Sequence, residues 1–487
     1  MTKRRLLAVC IAALIVPLSA LRAAETDIVG SVVKVYCEMY PYSYEAPWRL
    51  ENPMSVTGSG AIIAGHRILT SAHVVADGKF IQVKRAGGDE KYEAEVEIVG
   101  HQCDLAVLKV NDPKFFEDAV PLEIGPLVAL RDRVIVYGFS QGGEELSTTE
   151  GIVSRIEIRP YAHSMNAFLC GQIDAAINPG SSGGPVVKDE RIVGIAFQAG
   201  RGQNISYMVP APVIDHFLKD IEDGTYDGIP GLEVACQPME NPGLRAKHGM
   251  KAGQSGVLVM NVHPGSPAEG LIKPGDVITS LGGRQIANDA TIEFRKNERT
   301  LFFLPVQEHL IGETIEVGIL RDGAALRVPV KLTVPFGSTR LVPNFQYDRQ
   351  PSYYIVGGLV FERLTANYLD LFEDGEPPVD LRTYYLYAEP TPDRRNIVVL
   401  IGILVDSVNV GYQGFTEAVI FKANGQNVST LGDLVKAVET NQGPYHVFVD
   451  SYGREIVIDR VKAGQRLPLI LQRYKIDSDR SEDLKAK

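Results

Sequence analysis

Between residues 27 and 218 the apolar residues fall in short runs that alternate with polar positions, and Gly, Asn and Asp punctuate them at close intervals. Alternation with a period of two is what a half-buried strand requires, because successive side chains point to opposite faces. The pattern predicts strands over 28–35, 60–63, 68–71, 80–84, 94–99, 105–110, 133–136, 151–156 and 192–197. Many short strands with turns at this spacing form a closed or sandwiched β architecture. A helical period takes over at 212–220, and 222–228 reads as a linker, which sets the first domain boundary at about 224.

A second unit occupies 229–336. Its apolar stretch 256–262 predicts a strand, Gly265-Ser266-Pro267 the opening of a helix, and Pro274-Gly275-Asp276 a turn into another strand. The order strand, loop, strand, helix recurs over 398–405, 408–411, 418–425 and 430–439, which predicts an internal duplication with a third unit over 340–465. A charged tail, 466–487, follows with one apolar run at 467–471. At the other end Lys3, Arg4 and Arg5 precede the apolar run 6–21 and small residues through Ala24. That order is the signature of a secretory leader over 1–24, so export to a periplasmic or secreted location is expected, membrane-associated where the leader stays uncleaved. The remainder of the first unit is then 25–224.

Composition narrows the picture. With 487 residues, 45% hydrophobic and 8% aromatic, the chain has the make-up of a soluble multi-domain protein. A formal net charge of -11 without long basic runs argues against nucleic acid as a partner. No Walker-type nucleotide loop is present, and neither a metal nor a cofactor is expected. Loss of the leader removes Cys10 and leaves Cys37, Cys103, Cys170 and Cys236, whose wide spacing and apolar neighbours suit buried free thiols better than disulfides.

Candidate chemistry centres on 174–185, Asp-Ala-Ala-Ile-Asn-Pro-Gly-Ser-Ser-Gly-Gly-Pro. A serine set between glycines can present its hydroxyl on a tight turn with several backbone N–H groups aimed at one point, as an acyl-transfer nucleophile needs. Such a serine requires a base, and the base an orienting carboxylate. His73 in Thr70-Ser71-Ala72-His73 sits where a strand gives way to a helical turn, and Asp104 in Cys103-Asp104-Leu105-Ala106 sits at the mouth of a strand. The order His, Asp, Ser is that of chymotrypsin-type enzymes.

Gly58-Ser59-Gly60, 69–75, 103–108, 174–185 and Tyr207-Met208-Val209-Pro210 together resemble the HtrA/Deg family of trypsin-fold serine proteases that carry PDZ domains, and 351–361 and 477–481 look most like its plant-type Deg branch. The resemblance implies a mainly β fold: a chymotrypsin-like double β-barrel with the active site between the barrels, followed by two PDZ-like α+β domains. It implies a catalytic His73, Asp104 and Ser182, with Ser182 rather than Ser181 as nucleophile because it directly precedes Gly183-Gly184. The oxyanion hole would be built from the amides of Gly180 and Ser182, with Ser181 lending a neighbouring one.

By the same resemblance, Ala176 lies at the base of the primary specificity pocket, with Ile177, Ile195, Ala196, Phe197 and Ser206 around it, which implies small or medium aliphatic side chains at the cleavage site. The peptide-carboxylate loop of the first PDZ domain would be Pro230-Gly231-Leu232-Glu233-Val234, weakened by the missing N–H of Pro230. In the second domain 356–361 is the candidate loop, with an inward strand serving assembly as the alternative. Tyr40, Tyr42, Tyr44 and Trp48 suit either a subunit interface or rings packed on the barrel. The resemblance implies unfolded proteins and C-terminal peptides as partners, a homotrimer or a multiple of trimers, and an ATP-independent endopeptidase; a chaperone acting through its PDZ domains is the alternative.

Overall fold

The computed structural model describes residues 28–200, 204–372 and 376–485, so the expected leader and Cys10 lie outside the described residues. The first alternating segment closes into two six-stranded barrels. Strands β1 (Val32–Met39), β2 (Met54–Ile63), β3 (Arg67–Thr70), β4 (Gly78–Arg85), β5 (Tyr92–Gly100) and β6 (Leu105–Val110) run in the order β1-β2-β3-β6-β5-β4. Closure comes from β1, in which Val33 faces Gly60 of β2 on one edge and Arg85 of β4 on the other. Strands β7 (Arg133–Gly138), β8 (Ser147–Pro160), β9 (Ala167–Ile173), β10 (Pro185–Lys188), β11 (Arg191–Ala199) and β12 (Ser206–Pro210) form the second barrel, closed where β7 pairs with both β8 and β10. Closing each sheet satisfies its edge amides and leaves no strand open for foreign pairing.

Helix α1 (Ala72–Val75) follows β3, and α2 (Ala211–Asp220) follows β12 with Pro212 in its first turn and Val213, Ile214 and Phe217 turned inward. The core of the second barrel runs on without a break into that of the next domain. Two side chains pin the junction: Gln307 Nε2 donates to the Ala167 carbonyl at 2.8 Å and His216 Nε2 to the His309 carbonyl at 2.7 Å.

The two later sheets share one plan. Strands β13 (Val234–Pro238), β14 (Val257–Val262), β15 (Val277–Leu281), β19 (Thr314–Arg321) and β20 (Ala324–Lys331) are neighbours in that order, and β16 (Arg284–Gln285) pairs with β15; β17 (Thr291–Arg295) and β18 (Glu298–Leu301) form a separate hairpin. In the last domain β22 (Leu359–Arg363), β23 (Val398–Ile403), β24 (Ala418–Ala423), β26 (Tyr445–Asp450) and β27 (Glu455–Asp459) repeat the order, with β25 (Gln426–Asn427) on β24 and an added strand β21 (Tyr353–Val356) on β22. The helix expected at 430–439 is Leu431–Glu439, closed at its start by a reciprocal capping box between Thr430 and Asp433.

Several expectations differ from the structure. The first strand begins at Val32 rather than 28, and the Gly-Ser-Pro stretch forms consecutive turns, not a helix. Residues 466–485 form no separate tail. The helix Arg460–Tyr474 carries the 467–471 run against Tyr353, Ile355, Val360 and Leu404, and Arg480 returns to bridge Tyr354. Gly357-Gly358 is a two-residue hairpin turn between the paired Val356 and Leu359, both glycines at positive φ, and so is not a free carboxylate loop. Trp48 and Tyr44 pack on the last domain rather than on the barrel. The Trp48 ring meets Tyr353 edge-on at 5.8 Å, and Tyr44 joins a cluster with Leu364, Tyr368 and Leu381.

Glu362 of β22 is 1% exposed, and neither of its carboxyl oxygens has a hydrogen-bond partner among the described residues. Burial pushes its pKa well above the ordinary 4.5. The folded state therefore keeps a proton that the unfolded chain releases above pH 4.5, and stability falls as pH rises, by about 1.4 kcal/mol per pH unit until the folded pKa is reached. Glu362→Gln removes this penalty. Thermal melts should show the variant more stable than wild type at pH 7 to 8 and the two converging near pH 4.5; equal melting temperatures across the range would mean the carboxyl finds compensation when ionised.

Candidate active site

His73 lies on α1, immediately after β3 delivers the chain to the groove between the barrels. Asp104 stands at the start of β6 in a left-handed conformation, φ 54°, which ends the short turn His101–Cys103 and swings its side chain back toward α1. One carboxylate oxygen accepts the His73 backbone N–H at 2.9 Å, and the other lies 2.8 Å from Nδ1. The carboxylate is 1% exposed and the imidazole 31% exposed, so the acid is sealed behind a base that still reaches the cleft. Burial alone would lower the His73 pKa, but the Asp104 charge and hydrogen bond outweigh it and raise it above 6.5. Burial opposes ionisation of Asp104, yet His73 holds its pKa below the usual carboxylate value.

The serine loop is locked by backbone contacts between barrels. Ser59 of β2 donates its hydroxyl to the Gly180 carbonyl at 2.7 Å and accepts the Phe139 N–H at 2.9 Å, and its own N–H donates to the Ser182 carbonyl at 2.8 Å. A Cβ on Gly180, Gly183 or Gly184 would fall far inside contact distance of the carbonyls of Phe139, Ser59 and Tyr137 respectively, and Gly180 and Gly183 also have positive φ, 92° and 84°. Gly58 leaves room for Val74 of α1 beside the Ser182 carbonyl, which brings the His73 turn and the nucleophile loop together.

Within the loop the two serines are distinguished. Ser181 Oγ is paired with Ser140 Oγ at 2.8 Å, and its amide donates to the Asn178 carbonyl at 2.9 Å, so it lends no free N–H to an oxyanion, contrary to expectation. The amides of Gly180 and Ser182 donate to no acceptor among the described residues. Ser182 Oγ contacts the Phe197 carbonyl at 3.5 Å and is not hydrogen-bonded to the His73 ring.

The residues expected around the primary pocket are only partly gathered. Ile177, Ile195, Ala196, Phe197 and Ser206 are buried, and Ser206 Oγ accepts the Ile177 N–H at 3.2 Å. Ala176 is exposed, its carbonyl holding Thr149 Oγ1 at 2.9 Å, and the Phe197 ring packs on Tyr161 at 4.6 Å. The loop Gly231-Leu232-Glu233-Val234 is already engaged by its own chain. Gly231 N–H donates to the Val334 carbonyl at 3.1 Å, and Glu233 accepts from Gly337 N–H at 2.8 Å and from Thr339 Oγ1 at 2.6 Å.

A cavity of about 370 Å³ opens beside His73, walled by Tyr42, Met54, His163 and Tyr347. Tyr347 stacks on His163 at 3.9 Å and donates its hydroxyl to the His163 carbonyl at 2.8 Å. His163 in turn lies 3.0 Å from His101 Nδ1, and His101 Nε2 is 2.7 Å from Asp348 Oδ2. Burial drives the His163 pKa down to about 3, so the ring is neutral and can donate to His101 while His101 donates to Asp348. No motif marks His163, Tyr347 or Asp348 in the sequence; His101, three residues before Asp104, was the one signal within reach.

Comparison with known proteins agrees with this geometry. A trypsin-like peptidase domain matches residues 58–195, and PDZ domains match 235–332 and 342–483. Protease Do-like 2, chloroplastic, from Arabidopsis thaliana is 37% identical over 467 residues, covering 94% of this chain and 76% of the relative. The chain belongs to the HtrA/Deg family of serine proteases. Protease Do-like 4, mitochondrial, from the same plant is also 37% identical and covers 93% of this protease and 85% of its own length. Among solved structures, the HtrA-type protease AlgW with tripeptide shares the fold, with TM-score 0.50 and 24% identity over 64% of this chain and 96% of that one. The plant relatives' names place them in chloroplasts and mitochondria, not in the periplasm that the leader suggested.

Gly184 tests how tightly the protease needs the packing of its serine loop on β7. Gly184→Ala pushes a methyl group into the Tyr137 carbonyl and against Ser181, moving Ser182. A shift of about 1 Å at a reacting group costs on the order of 100-fold, so casein hydrolysis should drop at least that far with unchanged far-UV circular dichroism. Gly402→Ala, with nothing within 4 Å of the added carbon, is the control and should retain full activity.

Proposed function

We propose that this protease cleaves internal peptide bonds of unfolded or damaged proteins through an acyl-enzyme on Ser182, without ATP. The observation that carries the reading is the sealed His73–Asp104 pair facing a serine loop in which the Gly180 and Ser182 amides are unspent. Ser182 Oγ turns from the Phe197 carbonyl to His73 Nε2, which takes its proton as the oxygen attacks the substrate carbonyl. Asp104 holds the Nδ1–H tautomer and stabilises the imidazolium. The two free amides then stabilise the oxyanion, and His73 returns the proton to the leaving amine. The small residues around Ser206 and Ile177 favour small or medium aliphatic side chains at the cleaved bond, with broad preference because one methylene discriminates by only about 1–3 kcal/mol. The PDZ domains hold peptide segments of the substrate, and the basic, apolar leader delivers the chain across a membrane. Trimers, or multiples of them, are the assembly expected by family resemblance.

Ser182→Ala should lower kcat on unfolded casein by roughly 10⁶-fold while Ser181→Ala keeps most of the activity. Comparable cleavage by both variants would overturn the assignment. Because only neutral His73 can accept a proton and its pKa is raised, kcat/KM should climb with pH through a value above 6.5. A profile flat from pH 6 to 9 would remove His73 as the base.

A further inference from the structure

Two guanidinium groups line one cavity without an ion pair among the described residues. Arg363 ends β22, its Nε is enclosed without an acceptor, and among the described residues no ion pair or hydrogen bond engages its side chain or that of Arg349. Burial, and then the charge of Arg349, pull the Arg363 pKa down to about 10. The acid that opposes them, Asp483, already accepts from Ser352 Oγ at 2.6 Å. Two other arginines of the same domain are paired, Arg466 lying 2.6 Å from Asp406 and Arg480 2.6 Å from Glu439, while Arg394, also without a hydrogen-bond partner at one buried guanidinium nitrogen, lies over the Phe421 ring at 3.5 Å.

Arg349 and Arg363 both line a cavity of about 420 Å³ where both barrels meet the segments 226–228 and 335–349, and there Asn166, Asn344 and Ser338 add polar groups and Asp227 is the single carboxylate among the lining residues. An enclosed cation without an acceptor is costly, and the ligand that relieves it is an oxyanion. A guanidinium fork matches a carboxylate with two parallel N–H donors. Arg349 also lines the cavity beside His73, so a polypeptide crossing that cavity runs past this one member of the pair.

We propose that this cavity is a carboxylate site, in which Arg349 and Arg363 hold an acidic side chain of a bound polypeptide. That the polypeptide is a substrate rests on the Ser182 reading; the carboxylate site itself does not, and a binding measurement separates the two. Full-length protein carrying Ser182→Ala is titrated with a fluorescein-labelled Glu-rich peptide and with its Gln counterpart, and inorganic phosphate is tested in parallel by thermal shift. The Glu peptide should bind at least about tenfold tighter than the Gln peptide at low salt, with the advantage shrinking as salt rises. Arg363→Met and Arg349→Met should each abolish the advantage. Arg349 is exposed, so its variant reports on binding even where Arg363→Met perturbs folding. Equal affinity for the two peptides, an advantage that survives Arg349→Met, or stabilisation by phosphate without preference for the Glu peptide would each overturn the proposal.

Discussion

The site depends on how closely two backbones approach where the barrels meet. Ser59 reaches from β2 to Phe139, Gly180 and Ser182, and Gly183 lets the Ser59 carbonyl come nearer than any Cβ allows, while Gly180 and Gly184 do the same for Phe139 and Tyr137 within the second barrel. Each barrel is complete as a closed sheet, so nothing in either sheet alone fixes the angle between them. The contact does so, and it places Ser182 against the α1 turn that carries His73. Lys34 reinforces it from β1, its buried ammonium donating to the Gly142 carbonyl at 2.8 Å and pairing with Glu144 at 2.7 Å. A catalytic constellation drawn from both halves is only as well placed as this junction is rigid.

What the sequence made legible was what neighbouring residues determine. Period-two alternation marks the strands, and the turn residues around Ser182 and the boundary positions of His73 and Asp104 are local signals that survive without any knowledge of packing. The glycines of the serine loop announced a tight turn, although the partner that demands it, Ser59, lies more than a hundred residues away. The hairpin at Gly357-Gly358 shows the limit of such reading. A glycine pair within an apolar stretch fits a peptide-binding loop and a two-residue turn equally well, and pairing of Val356 with Leu359 decides for the turn.

The residues that escaped detection act across domains. Tyr347 and Asp348 belong to the connection between the PDZ domains, yet they touch His163, His101 and Asp77 of the first two barrels. Trp48 and Tyr44 come from the β1–β2 connection and meet the last domain. Aromatic rings and short acidic side chains occur throughout the chain, and their meaning here lies in contacts spanning some 300 positions, which no local pattern encodes. The missing tail is the same case in reverse, since the 467–471 run looks isolated until β21 and β22 are seen to supply its face.

These contacts make the stretch from Gly337 to Asp348 a strap tied at both ends. At one end Glu233 in the first PDZ loop holds Gly337 and Thr339. At the other, Asp348 is held by His101 and by reciprocal bonds with Asp77, and Tyr347 lies flat on His163. The strap thus joins the first PDZ loop, where it occupies Glu233, to the wall of the cavity beside His73, where Tyr347 stacks on His163. Both barrels are closed sheets, so the segment that links these two places lies outside either sheet.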